Sequence, residues 1–350
     1  MSTFALERDH REGNEAGEVL ARTKAAVDPT LRAAVDTLPA SMRLIAGYHF
    51  GWWEPDGTPS TATGAGKAIR PALVLAATQA VGGPPERAIR AAAAVELVHN
   101  FTLLHDDVID RDQTRRHRPT AWRVFGTTEA ILAGDAMHSL ALRILAEDGH
   151  PAAPGAVRRL ADCVVELCAG QQADCAFEQR SDVSLAECLT MAEAKTGALL
   201  GCACALGALY AGAEQPAVDA MDAFGREIGL AFQLIDDLIG IWGDPAVTGK
   251  PVGADLAARK KSMPVVFALG SGTAAGAELA DLYALERPLS ARELERAAQA
   301  VEGAGGRSWA QGESCERMAA AIGHLATAVS APSDADELLA LAELVTRRSH

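Results

Sequence analysis

The sequence predicts an all-α protein, and three observations carry that reading. Apolar residues recur at spacings of three and four over long segments. Alanine and leucine dominate, while aromatic residues make up only 5% of the chain. Alternating Val/Ile/Thr runs bounded by turn dipeptides, the mark of strands, are nearly absent. With 350 residues, 49% of them hydrophobic and 22% charged, the chain can bury a sizeable core.

Residues 1–20 are polar and charged and are expected to fray, and 21–350 are expected to form one helical domain. Helical patterning then runs through 87–110, 129–147, 156–179, 186–211 and 215–242. Breaks fall at GWWEPDGTPSTATGAGK (51–67), GGPPER (82–87), EDGHPAAPG (147–155), GDPAVTGKPVGAD (243–255) and GSGTAAGAE (270–278). The apolar run GALLGCACALGALYAG (197–212) is shorter than the ~20 residues of a membrane span and rich in small residues, so a packed internal helix is expected, not a transmembrane segment. The opening MSTFALERDHREGNEAGE is not a basic-then-apolar leader, which points to the cytoplasm. Seven cysteines, an odd number without CxxC spacing, read as reduced thiols. A formal charge of -14 argues against a general nucleic-acid binder, whose affinity comes from a basic face.

Two acidic clusters carry the chemistry. In LLHDDVIDRD (103–112), Asp106, Asp107 and Asp110 form DDxxD. On a helix Asp106 and Asp110 lie one turn apart and Asp107 about 100° round, so the three share a face where like charges repel. The cluster could be a solvated helix end. The apolar FTLLH before it instead brings the acids out of a buried helix, where unpaired carboxylates need a cation. Hard oxygen ligands of one type suit Mg²⁺, which is commonly shared with substrate phosphates. In FQLIDDLIGIWGD (232–244), Asp236 and Asp237 begin the same pattern, but Gly240 stands where the third aspartate would be. The rare cations sit near these acids. The only lysines are Lys24, Lys67, Lys195, Lys250, Lys260 and Lys261; Arg115 and Arg116 follow the first cluster, and Lys67 and Arg70 share GKAIRP. Such cations in an acidic chain imply a polyanion, and a diphosphate satisfies both metal and cations. The ExxH pairs Glu96–His99 and Glu147–His150 have di-iron spacing, but Gly149 and Pro151 spoil the second as a helix.

In order, GKAIRP (66–71), ELVHNFTLLHDDVIDRDQTRRHRPT (96–120), AILAGDA (130–136), GQQAD (170–174), KTG (195–197), GLAFQLIDD (229–237), GDPAVTGK (243–250) and DLAARKKSMP (255–264) resemble the trans-isoprenyl diphosphate synthases of the polyprenyl synthetase family. The resemblance implies a single-domain helical bundle around a deep central cavity, a homodimer, and two to three Mg²⁺ ions. It implies that Asp106, Asp110 and Asp236 bind Mg²⁺ with Asp107 and Asp237 in support. Arg115, Lys195, Lys250 and Lys260 would hold an allylic diphosphate, and Lys67, Arg70, His99 and Arg116 the diphosphate of isopentenyl diphosphate. Thr196 and Gln233 would turn oxygen dipoles to a carbocation, and Phe232 would pack near the isopentenyl chain. His99, Thr196 and Gln233 could by themselves be ordinary packing residues, and only the flanking motifs lift them above that.

The family's residues five and four before the DDxxD set product length, and here they are Phe101 and Thr102. Each C5 unit adds roughly one helical turn, about 5 Å, so a bulky wall residue limits growth. The pairing resembles short-chain enzymes and favours C20, with C15 close behind. The sequence departs from the family at His117, at Trp122 and at Gly240, where water is expected to fill the space of the absent carboxylate. Asp236, Gly240 and Asp244 also resemble the second metal motif of class I terpene cyclases, which makes a cyclase one rival and a non-catalytic regulatory subunit another. The isopentenyl set, which a cyclase does not need, and Gly243 and Pro245 beside Asp244 oppose the cyclase.

Overall fold

The computed structural model describes residues 3–61, 66–244 and 252–346. Helices dominate it, in accord with the all-α expectation. They are α1 (Thr3–Val35), α2 (Ala40–His49), α3 (Ile69–Ala80), α4 (Ile89–Ile109), α5 (Ala121–Phe125), α6 (Thr127–Ala146), α7 (Ala153–Glu178), α8 (Leu185–Ala192), α9 (Ala198–Ala211) and α10 (Gln215–Trp242). Further helices at Ala254–Ala257, Met263–Leu269, Ala274–Tyr283, Ala291–Gly303, Gly306–Ala328 and Asp336–Thr346 follow.

Two features depart from the periodicity. The stretch 186–211 is not one helix, because a π-turn over Glu193–Gly197 separates α8 from α9. A π-turn inserts one residue and leaves the apolar repeat on either side intact, so spacing alone does not reveal it. The arginine loop forms a two-stranded hairpin, Thr114–Arg115 against Arg118–Pro119, tightened by left-handed Arg116 and His117 at φ 51° and 62°. Helix ends follow local chemistry. Ser184 and Glu187 make a reciprocal capping box at the start of α8, and left-handed Gly212 follows the end of α9.

Contacts divide the chain into two units. The first comprises Met1–Val164, Cys202–Met221 and Ala328–Leu341, and the second Val165–Gly201, Asp222–Thr327 and Ala342–His350. In the first, α4 packs against α1, α3 and α6. Ala91, Ala92, Ala93, Ala94, Val95, Leu97, Val98 and Leu104 are all fully buried there. Small side chains let the neighbouring helices approach, and each buried Leu or Val contributes about 1.5–3 kcal/mol. A helix so enclosed holds its acidic end in a fixed place.

In the second unit Leu230, Leu234 and Leu238, one turn apart on α10, join Phe177, Cys188, Met263, Val266 and Ala310 in one core. Asp236, on the far side of α10 from Leu234, is exposed. The helical run Leu185–Ala211 is long and apolar enough to cross a membrane, but 78% of its most apolar window is buried inside the protein. Among the described residues the cysteines form no disulfide.

Candidate active site

The first unit carries one set of candidate residues on the end of α4, the hairpin and the start of α3. Asp106 is half-buried, Asp110 exposed, and Asp107 only 1% exposed. Arg111, left-handed at φ 56°, turns the chain after α4, and the hairpin brings Arg115 back so that its Nε donates to Asp107 Oδ1 at 2.7 Å. Burial pushes the Asp107 carboxyl up to about 6, with Arg115 opposing that rise. Its other oxygen, Oδ2, is buried and finds no hydrogen-bond partner among the described residues.

Arg116 points elsewhere. Its guanidinium lies against Gly66, where a Cβ would stand 2.7 Å from Nη2. Arg70 Nη1 lies 3.2 Å from His99 Nε2. Burial, with Arg70 and Arg116 adding to it, holds His99 well below the ordinary histidine value, so the neutral ring accepts from Arg70. Glu96, one turn before His99 and Asn100, accepts from Asn100 Nδ2 at 2.9 Å. Burial raises its carboxyl, while Asn100, Arg70 and Arg116 pull it down. Lys67 is exposed on the same GKAIRP segment. The structure thus gathers Arg70, His99 and Arg116 around one buried acid. Phe101, 7% exposed, packs edge-on to His105 at 5.5 Å and tilted against His138 at 5.1 Å. Buried Thr102 donates to His99 O at 2.8 Å.

The second unit carries the other set. Lys195 in the π-turn pairs with Asp174 of α7. Its neighbour Thr196 donates from Oγ1 to Gln233 Oε1 at 2.9 Å, and Gln233 Nε2 donates to Asp237 Oδ1 at 3.0 Å. Asp237, 3% exposed, takes the Met263 N–H on Oδ2 at 2.9 Å and has Lys260 Nζ 3.7 Å from Oδ1. Burial pushes its carboxyl up to about 6, against the pull of Lys260 and the two hydrogen bonds. For Lys260 burial acts to lower the ammonium, and Asp237 and Asp255 outweigh it, leaving it above the ordinary lysine value. Asp174, Lys195, Gln233, Asp236, Lys260 and Ser262 line one pocket. Phe232 is half-buried on α10. Lys250 lies outside the described residues.

The departures acquire physical meaning. Gly240 is not a water-filled gap, as the sequence suggested: a Cβ there would lie 2.5 Å from Asp255 Cγ, so the Asp255 carboxylate fills the space. Trp122 Nε1 donates to Asp112 O at 2.8 Å, bracing the turn that follows α4. α10 ends at Trp242, so Asp244 lies beyond the helix.

The sequence assigned no role to Asp174, Asp255 or His49, and singled out Glu96 only in an ExxH pair. His49 lines a small cavity with Asp107, Arg115 and Arg116. Asp174 and Asp255 do stand inside quoted motifs, which was the available signal.

Divalent metal fits the donors present. The clusters offer only oxygens, and the orphaned Asp107 Oδ2 sits beside them. Among the described residues no three His, Cys, Asp or Glu side chains gather into a complete cage. Mg²⁺ commonly takes only one or two carboxylates and finds its remaining ligands in water and substrate phosphate.

Enclosed helices that present two carboxylate clusters, the first with arginine and the second with lysine around it, have the all-α isoprenoid-synthase fold. The chain belongs to the polyprenyl synthetase family, whose model matches residues 59–301. It is 50% identical over 332 residues to a geranylgeranyl diphosphate synthase of Mycobacterium tuberculosis, covering 94% of this chain and 93% of the relative. To a (2E,6E)-farnesyl diphosphate synthase of Mycobacterium bovis it is 46% identical over 325 residues, covering 92% and 90%. A crystal structure of a polyprenyl synthetase from Streptomyces coelicolor A3(2) superposes with a TM-score of 0.89 at 44% identity, covering 94% of this chain and 98% of that one.

Proposed function

We propose that the protein is a short-chain prenyltransferase that condenses isopentenyl diphosphate with an allylic diphosphate, with Mg²⁺ as cofactor. The product is the C20 diphosphate, with C15 the nearest alternative. The observation that carries the reading is the cluster of Arg70, His99 and Arg116 beside GKAIRP. A second group of cations, in addition to those assigned to the leaving diphosphate, serves a second diphosphate substrate, which a cyclase lacks. The helix end at Trp242, short of Asp244, also speaks against the cyclase register.

In this reading Asp106, Asp110 and Asp236 hold Mg²⁺, which when bound neutralises charge on the leaving diphosphate. Asp107 and Asp237 orient cations: each is buried and grips its partner, Arg115 or Lys260. Asp174 does the same for Lys195. These side chains are fixed before substrate arrives, so little reorganisation is needed as negative charge grows on the departing group. Thr196 donates its hydroxyl hydrogen bond to Gln233 Oε1, which leaves the lone pairs of the Thr196 oxygen for the allylic cation. Lys67, Arg70, His99 and Arg116 hold the isopentenyl diphosphate so that its double bond attacks in line, with Phe232 against its hydrocarbon end. The released diphosphate takes the proton that completes the step. The active species is a cytoplasmic homodimer, and residues 21–350 act as one domain.

Kinetics with each substrate varied in turn test the reading. Arg116→Ala and His99→Ala raise the KM for isopentenyl diphosphate about ten- to a hundred-fold, the weight of a lost charge-assisted hydrogen bond, and leave the allylic KM nearly unchanged. Equal change in both constants refutes the assignment.

A further inference from the structure

The π-turn that carries Lys195 and Thr196 is held by the same device on both sides. On α7, Gly170 stands one turn before Asp174, and a Cβ on Gly170 would lie 2.5 Å from Lys195 N and 2.9 Å from Ala194 C. On α10, Gly229 stands one turn before Gln233, and a Cβ there would lie 2.6 Å from Gly197 Cα and 3.4 Å from Thr196 O. Residues four apart share a helix face. Each flanking helix therefore offers a bare backbone for the turn to rest on and, one turn later, a polar group for the side chain that turn presents. Asp174 takes Lys195, and Gln233 takes Thr196. The atoms that a new side chain would strike are backbone atoms, which cannot swing aside, so the turn itself would have to move.

We propose that Gly170 and Gly229 are positioning residues, which clamp the π-turn so that Lys195 faces α7 and Thr196 faces α10. The extra residue of the turn divides the two side chains between two helices, and the glycines fix how far it stands from each. This rests on the proposed roles of Lys195 and Thr196.

The test compares Gly170→Ala and Gly229→Ala with Gly201→Ala. Gly201 lies on α9 beyond the turn, where a Cβ would meet Asp222 O at 2.8 Å, a comparable backbone clash away from the site. All three variants lower the thermal midpoint. Gly170→Ala and Gly229→Ala also lower kcat about a hundred-fold, the usual cost of misplacing reacting groups by an ångström, with the KM for isopentenyl diphosphate unchanged, whereas Gly201→Ala keeps its kcat. If the glycine variants do not fold, deletion of Ala194, which returns the turn to α spacing, is expected to cause the same kcat loss in a folded protein. Should Gly170→Ala and Gly229→Ala match Gly201→Ala in kcat, or the folded deletion keep full kcat, while Lys195→Ala is inactive, the clamp is refuted. Full kcat in both Lys195→Ala and Thr196→Ala refutes instead the site reading on which the clamp rests.

Discussion

The carboxylate of Asp255 lies against Gly240, in the volume that the side chain of a third aspartate would claim. It comes from the helix Ala254–Ala257 and also lies 3.9 Å from Lys260. An aspartate at 240 would therefore meet both steric overlap and a like charge. Gly240→Asp is expected to lower the thermal midpoint, with overpacking of about 1–3 kcal/mol, and to reduce turnover by displacing the partner of Lys260. Asp255→Gly added to Gly240→Asp should recover part of both losses. Additive losses in the double variant, measured by melting and product formation, would show that the two positions do not share one space.

Phe101 is enclosed by two histidine rings, one on its own helix and one on α6. Phe101→Ala removes that wall. It is expected to shift products beyond C20 and to destabilise the fold by about 3–5 kcal/mol, as large-to-small core changes do. Mass spectrometry of the prenyl diphosphates checks this, and an unchanged product spectrum in the folded variant contradicts the ruler role.

His117 is exposed and left-handed at φ 62°. A side chain there costs roughly 1–2 kcal/mol that glycine does not. His117→Gly, which removes the side chain from the left-handed turn, should raise the thermal midpoint by a few degrees with activity retained. A lower midpoint would mean that the imidazole makes a contact worth more than the strain.

Asp237 is held in the fold with its carboxyl raised from 3.8 to about 6, chiefly by burial. Between those values the folded protein binds more protons than the unfolded chain, so this group favours the fold at low pH and loses that advantage as pH rises through about 6. Without metal, wild type should lose stability relative to Asp237→Asn between about pH 4 and 7, on the order of 2 kcal/mol. Thermal melts of both proteins in chelator at several pH values measure it. A difference that does not vary with pH would remove the buried-acid account.

What the sequence revealed follows from what chemistry requires of residue types. The DDxxD acids, the arginine pair and Lys195 stood out because carboxylates and scarce cations beside apolar helix are costly without a purpose. The helices α4, α6, α7 and α10 stood out through their repeat. Asp174, Asp255 and His49 did not, since their roles come from contacts between segments far apart in the chain. The π-turn was hidden because one added residue leaves the apolar pattern on both sides intact. The hairpin was hidden too, as Arg116 and His117 adopt left-handed turns without the glycine that would announce them.

The most direct test supplies the purified protein and Mg²⁺ with single allylic diphosphates, with and without isopentenyl diphosphate, and identifies products by mass spectrometry. The account predicts chain-extended diphosphates ending at C20, formed only when isopentenyl diphosphate is present. A hydrocarbon product formed from the allylic diphosphate alone, with no extension when isopentenyl diphosphate is added, would contradict it.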